Sequence, residues 1–493
     1  MKNPTIASAA ALVCLATFGC APENQVNVNV TKEAEVVSVA PAATMDARSI
    51  ASIQDRAIAS MVIVEFTFDF ERGREKLRGL GTVIDDQGTT MVSLELLSPF
   101  FPNEQIVDFK YIMVDRATGI ETELDAVFSG RDERYGVAFV RPAEGVELDV
   151  PPLTFVDDVV EPGELVVSVS RMGKPAMYQP YVQVSRVMAN VRGPVPQTLV
   201  SSSGLGMIGS PVFNTDGVAV GFVNSSDDHA PFMDIGNGEA MRSAFQDAPR
   251  QFHPAGDFLP ALENPPTPES PIRMSNLGVA ALSGLLDKEI AKFYDLEGTP
   301  TVVIGDVIDG FPAAEAGVQS GDMVIAVDGA KIPQGDTPEE APEIFQRSLM
   351  RRSVGEEVTL TVIRDTPDGV ERLDVPVTLG ERPQQENAVE REYFEDLGFT
   401  VREVVFADLY NLKADPDTTG VVVSFIRPQS AAQTGTLGFN DLITDINQLP
   451  VESIEQFTQV YKALREETPE EDIVLTVRRG VDTEIVRIEP PRE

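Results

Sequence analysis

Residues 204–222 read GLGMIGSPVFNTDGVAVGF. PVF and VAVGF are Val-rich apolar runs, and NTDG between them punctuates a tight turn, so 211–222 is predicted as strand, turn, strand. The preceding GMIGSP is a glycine-flanked loop. Gly206 and Gly209 let its backbone bend so that N–H groups converge on one point, the arrangement that holds a developing oxyanion. Such a loop ordinarily presents a serine hydroxyl in its middle, where this chain has Ile208.

The same strand-and-turn texture extends outward from this loop. SMVIVEFTF (60–68) and LVVSVSRM (165–172) are Val-rich with partial alternation, and GTVIDDQGTTMVSLELL (81–97) reads as strand, turn, strand. Long helical periods are scarce between Ser49 and Arg250, which predicts an all-β domain over 49–250. HPAGDFLPALENPPTPESP (253–271) is rich in Pro and acidic residues, so 251–271 is predicted as a linker.

Downstream the chain repeats itself at a spacing of about 115–120 residues. NLGVAAL (276–282) matches DLGFTVR (396–402). TVVIGDVIDGFPAAEAGVQSGDMVIAVDG (301–329) matches GVVVSFIRPQSAAQTGTLGFNDLITDINQ (420–448), and VTLTVIRD (358–365) matches IVLTVRRG (473–480). The duplicated unit holds a glycine loop, strands, a small helix near Ala-Ala, a longer helix and a final strand. In the second copy Ser453 is placed to cap the longer helix, with Gln456 completing a capping box and Ile454, Phe457, Val460, Tyr461 and Leu464 on one apolar face. In the first copy the equivalent helix runs near Pro342 to Arg351, with Ile344, Phe345 and Leu349 inward.

Composition narrows the function. The 493 residues carry a formal net charge of −39, which argues against nucleic acid, whose binders need a basic stripe, and against charge-driven adhesion to anionic lipid. The two cysteines are Cys14 and Cys20. The start, MKNPTIASAAALVCLATFGC, has one lysine and then an apolar run too short to span a bilayer, which fits an export signal over 1–20. Its end, LATFGC, resembles a bacterial lipobox, departing from it at Thr17-Phe18. The resemblance implies that Cys20 is lipidated, becomes the first mature residue and holds the protein at the cell envelope, on the periplasmic side of the outer membrane. Residues 21–48, without aromatic side chains, read as a tether.

The repeated unit, on its x-Leu-Gly-Φ loop, its PAAEAGVQSGDMVIAVDG block and its closing LTVIR strand, resembles the PDZ domains of bacterial envelope proteases. PDZ domains add an extended peptide to a strand edge and hold its carboxylate on loop N–H groups. The resemblance implies peptide-binding loops at Asn276, Leu277, Gly278 and Val279 in 272–382, and at Asp396, Leu397, Gly398 and Phe399 in 383–493. Asp396, preceded by Glu395, disfavours a free C-terminus at the second loop and leaves internal peptides or a domain contact open.

The β domain resembles the trypsin-like protease domain of the HtrA/Deg family, from GLGTVIDDQG to GFVNSS. That implies a mainly β chain with α+β modules: a trypsin-like double β-barrel followed by two PDZ-like domains. It also implies the family's tendency to trimerise. At the three positions that carry the family's chemistry the chain departs from it. Glu95 of VSLELL stands at the histidine, Gly136 of YGVAF at the aspartate, and Ile208 at the serine. Both histidines, His229 and His253, follow residue 208, whereas the trypsin-like order places histidine first. Ser210 is the nearest substitute hydroxyl, two places beyond Ile208. Two separated histidines and no mature thiol make no zinc set, and no cofactor is expected.

These residues lead to the expectation of a non-enzyme: an exported, anchored protein that binds peptides or unfolded segments. Two other readings stand beside it, an HtrA/Deg-like endopeptidase of unusual mechanism and a structural subunit co-assembling with an active homologue.

Overall fold

The structure is a computed structural model describing residues 45–71, 73–115, 118, 120–192, 195–201, 204–224, 250–284, 288–335, 337–367, 369–415 and 417–490. Cys14, Cys20, His229 and nearly all of the expected tether lie outside the described residues. Helix α1 (Ala47–Ala59) opens the described chain. The Asp46 carboxylate caps it, accepting from Arg48 N at 2.8 Å and Ser49 N at 2.9 Å. Ile53, Ala57 and Ile58 turn inward from α1 onto the barrels that follow, so the packed body begins just before Ser49.

Two closed six-stranded barrels come next. The first is built from β1 (Met61–Phe70), β2 (Gly73–Val83), β3 (Thr90–Ser93), β4 (Ile106–Val114), β5 (Glu121–Asp132) and β6 (Val137–Pro142), in the order β1-β2-β3-β6-β5-β4. The second is built from β7 (Leu165–Arg171), β8 (Pro180–Val191), β9 (Gln197–Val200), β10 (Pro211–Phe213), β11 (Ala219–Val223) and β12 (Gln251–Pro254), in the order β10-β11-β12-β9-β8-β7. β10 and β11 are the expected hairpin. Asn214 stabilises its turn by accepting from Asp216 N and Val218 N through its side-chain oxygen. The largest core cluster lies across the seam between the barrels, with Leu80, Phe139, Phe213, Phe222 and Phe258 among its members.

The predicted linker over 251–271 is corrected here. Its first residues form β12, which closes the second barrel between β9 and β11, and the next form helix α2 (Ala255–Glu263). Pro254 ends the strand and precedes the helix, and Pro260 lies within the helix. Phe258 of α2 is fully buried against Phe155 and Phe222. The prolines mask an element whose apolar residues are spaced for packing.

The first repeat holds β13 (Ser275–Asn276), β14 (Val279–Ala280), α3 (Lys288–Phe293), β15 (Val302–Val303), β16 (Asp306–Val307), α4 (Pro312–Glu315), β17 (Met323–Val327), β18 (Ala330–Lys331), α5 (Ala341–Met350), β19 (Glu357–Thr366), β20 (Gly369–Thr378) and β21 (Gly380–Glu381). Phe345 and Leu349 of α5 are buried as expected. The second repeat is one sheet in the order β22 (Arg391–Phe394), β23 (Phe399–Glu403), β24 (Val421–Ile426), β25 (Leu442–Ile446), β27 (Ile473–Arg479), β28 (Asp482–Ile488), with β26 (Leu449–Pro450) paired to β25. Its helices are α6 (Phe406–Asn411), α7 (Ala431–Thr434) and α8 (Ile454–Glu467). Ser453 Oγ caps α8 by accepting from Gln456 N, while Gln456 Oε1 accepts from Glu452 N, one residue earlier than a standard box.

The duplication extends to a matched ion pair. Asp322, buried ahead of β17, pairs with Arg364 of β19 at 2.7 Å, and Asp441, buried ahead of β25, pairs with Arg479 of β27 at 2.7 Å. Each arginine also donates to a carbonyl in the turn after the small helix, Gly317 O or Thr436 O.

Candidate functional site

The turns bearing Glu95, Gly136 and Ile208, the residues expected at the catalytic positions, lie at the barrel seam. Leu94 N, next to Glu95, donates to Gly136 O at 3.1 Å, so those two turns adjoin. The loop carrying Ile208 rests on β2. A Cβ at Gly209, where φ is +85°, would stand 2.8 Å from Leu80 O, so that glycine is needed both for its backbone conformation and for the close approach.

Inside the loop a row of hydroxyls takes up the polar groups. Ser210 Oγ and Ser170 Oγ lie 2.8 Å apart, both fully buried. Gly206 N donates to Ser168 Oγ at 2.8 Å and Met207 N to Ser170 Oγ at 3.2 Å. The Gly206 N–H, one of the donors expected to hold an oxyanion, is therefore engaged by Ser168.

The sequence places His253 at the start of a linker. Instead β12 carries it into the seam, where it is 1% exposed and ringed by Phe222 and Phe258. A Cβ at Gly136 would lie 3.8 Å from His253 Cε1 and Nδ1, so an imidazole stands beside the position matched to the family's aspartate. Chain order does not reveal this, because the strand that delivers the ring closes the barrel from downstream. His253 Nε2 pairs with Asp257 Oδ2 at 2.8 Å. Burial pushes the imidazole pKa below its ordinary value despite that carboxylate, and Arg347 and Arg351 push it the same way. Burial alone would raise the Asp257 carboxyl, but the His253 hydrogen bond and the Arg351 guanidinium hold it at about 2. Arg351 Nη2, from the residue that caps the C-terminus of α5, approaches Asp257 at 2.7 Å and Arg347 of α5 at 3.4 Å, so this carboxylate fastens the first repeat to the barrels.

In the first repeat, Gly278 adopts φ +80° and Asn276 Oδ1 accepts its N–H at 3.1 Å. Leu277 is buried, and Val279 begins β14, which pairs with β16. Beside the loop lies a cavity of about 490 Å³, lined by Asn276, Leu277, Val279, Phe345, Arg382 and Phe406 among others. Phe406 belongs to the second repeat and packs on Phe311 of the first, with ring centroids 4.8 Å apart. In the second repeat, Gly398 adopts φ +73°, and Leu397 and Phe399 are fully buried. The Asp396 carboxylate is taken up within the module, by the Tyr461 hydroxyl and by Arg465 Nε at 3.2 Å.

Residues 81–222 match the trypsin-like peptidase domain family, and residues 281–377 match the PDZ domain family. The chain carries both domains and is similar to the HtrA/DegP proteases. A probable periplasmic serine endoprotease DegP-like of Hahella chejuensis is 26% identical over 69% of this chain and 68% of the relative. The protein of that name from Marinomonas is 26% identical over 80% and 75%. The one from Chlamydia pneumoniae is 24% identical over 42% of this chain, which spans only 38% of that relative. The solved structure described as HtrA-type protease AlgW with tripeptide shares the fold with a TM-score of 0.50 and 15% identity, covering 69% of this chain and 99% of its own.

The expectation of a non-enzyme is corrected by these comparisons. The relatives are named serine endoproteases, and residues 81–222 match a trypsin-like peptidase domain. The residues expected at the catalytic positions, Glu95, Gly136 and Ile208, speak only to one arrangement of serine, histidine and aspartate. They do not extend to the loss of all hydrolysis.

Proposed function

We propose that this HtrA/DegP homologue is an exported serine endopeptidase of unusual mechanism, acting on peptides or unfolded proteins that its PDZ-like modules recognise. The observation that carries the reading is the complete trypsin-like double barrel with its three loops gathered at the seam. Ile208 offers no nucleophilic atom, so the hydroxyl must come from elsewhere. Ser210 is the candidate, in the same loop and linked to Ser170 Oγ. Because Ser210 is fully buried, acylation requires the 206–210 loop to turn outward, which would also release Gly206 N from Ser168. Cys20 is proposed as the lipidated residue, and assembly into trimers or with an active homologue follows the family's habit.

The test is turnover of unfolded casein by purified full-length protein, with a fluorophosphonate probe and mapping of the labelled serine. The expected result is slow cleavage and labelling at Ser210, both lost in Ser210→Ala. Absence of cleavage and labelling overturns the reading. Labelling at another serine overturns the assignment of Ser210.

A further inference from the structure

The two repeats treat the segment before their glycine loops differently. In the first, β13 pairs away with β21, and β14 pairs only with β16. In the second, β22 turns back and pairs antiparallel with β23, placing Arg391 opposite Arg402, Glu392 opposite Val401, Tyr393 opposite Thr400 and Phe394 opposite Phe399. The other edge of β23 is taken by β24, so both of its edges are filled.

The side chain follows the strand. Phe394 is 4% exposed, and its ring centroid lies 5.3 Å from Phe399, 5.2 Å from Phe457 and 4.6 Å from Tyr461. It is thus held between β23 and helix α8. The Phe394 carbonyl accepts from Gly398 N at 2.7 Å, so a loop N–H of the kind that would hold a peptide terminus is already used. Edge pairing, an apolar pocket against a helix and a loop N–H are the three things an extended peptide needs on such a surface. Residues 391–394 occupy all three.

We propose that residues 391–394 are the resident ligand of the second module. A partner takes that groove only by displacing them, and the class that fits is an extended segment ending in a large aromatic or aliphatic side chain in the place of Phe394. The inference rests on reading the second module as a peptide groove. It is independent of hydrolysis at the barrels, since binding is read without turnover.

The probe is a synthetic peptide of residues 388–394, AVEREYF, with a free carboxylate and a photo-crosslinker, titrated against full-length protein. Crosslinks are mapped to distinguish the first groove, at Leu277 and Phe345, from the second, at Phe399 and Phe457. Phe394→Gly, which empties the pocket, is expected to bind the peptide in the second groove at least about tenfold more tightly than wild type, because the resident competitor is weakened. Phe394→Leu, a milder change for use if the glycine variant does not fold, should give a smaller gain in the same direction. Since the chain has no tryptophan, Phe394→Trp supplies a single reporter, and its emission should start blue-shifted and move red as peptide is added. Equal affinity in the natively folded variants and wild type, or an introduced indole that stays buried at saturation, overturns the proposal. Crosslinks confined to the first groove overturn it too, while leaving the endopeptidase reading untouched.

Discussion

Replacing Asp257 by Asn tests whether the carboxylate between α2 and α5 ties the barrels to the first repeat. Asn keeps the shape and removes the charge that faces Arg351, Arg347 and His253. The carboxyl is held at about 2 against an ordinary 3.8. That depression is worth on the order of 2–3 kcal/mol. Asp257 is only 6% exposed, so solvent screening removes little of it, whereas Arg351 at 30% can partly turn to water and cap the loss. The sign follows from linkage. A depressed carboxyl contributes fully above its unfolded value near 3.9, and the contribution fades as the pH falls toward 2. Thermal unfolding followed by circular dichroism at pH 7 should therefore show the variant melting about 5–10 °C lower. The gap should narrow between pH 4 and pH 2. In a double-mutant cycle, Asp257→Asn and Arg351→Ala should couple by at least about 1 kcal/mol. A variant melting within 1 °C (about the error of such a scan) of wild type at pH 7, or strictly additive mutants, would refute the reasoning.

The remaining predictions concern other parts of the chain. His253 is kept neutral by burial while the unfolded chain titrates near 6.5, so stability should fall from pH 7 to pH 5, and His253→Asn should flatten that slope in denaturant titrations. Gly278→Ala forces a side chain into φ +80° and sets a Cβ 2.1 Å from Phe311 Cβ; a cost of about 1–3 kcal/mol and a weaker first groove should appear in melting and peptide titration. The triple change Glu95→His, Gly136→Asp, Ile208→Ser should speed casein cleavage and move probe labelling to residue 208; unchanged labelling would refute the positional matching. Cys20→Ser should move the protein from the detergent phase to the aqueous phase, and a wild type already aqueous would sink the lipidation proposal.

Much of the architecture is legible in the sequence because it is local. The hairpin over 211–223 announces itself by Val-rich runs around NTDG, and α8 by Ser453, Gln456 and an apolar stripe. What stays hidden depends on partners far along the chain. β12 is four residues long, and only its neighbours β9 and β11 make it a strand, so Pro-rich surroundings outweigh it. His253 reads as a linker residue for the same reason, and its place beside Gly136 is a tertiary fact. Helix α1 falls almost wholly in 49–250, the stretch read as all-β, although Asp46, Ile53 and Ala57 carry a cap and part of a face; the neighbouring polar stretch masks them. β22 does carry a usable signal. Arg391 and Tyr393 alternate opposite Arg402 and Thr400 across a four-residue turn, but EDLG matches a ligand loop as readily as a hairpin connection.

The late arrival of β12 has a practical consequence for dissecting the molecule. A fragment cut at residue 250, where composition suggests a domain ends, would lack the strand between β9 and β11. The barrel would be left unclosed, with two unsatisfied ladders facing solvent, and Phe258 would be missing from the seam it fills against Phe155 and Phe222. Unpaired strand borders next to an uncovered aromatic hole recruit other chains, so such a fragment should precipitate or self-associate. A fragment carried through Glu263 retains the closing strand and its helix. It gives up Arg347 and Arg351, which grip Asp257 from outside, together with the Ser129–Pro266 and Glu133–Arg382 contacts.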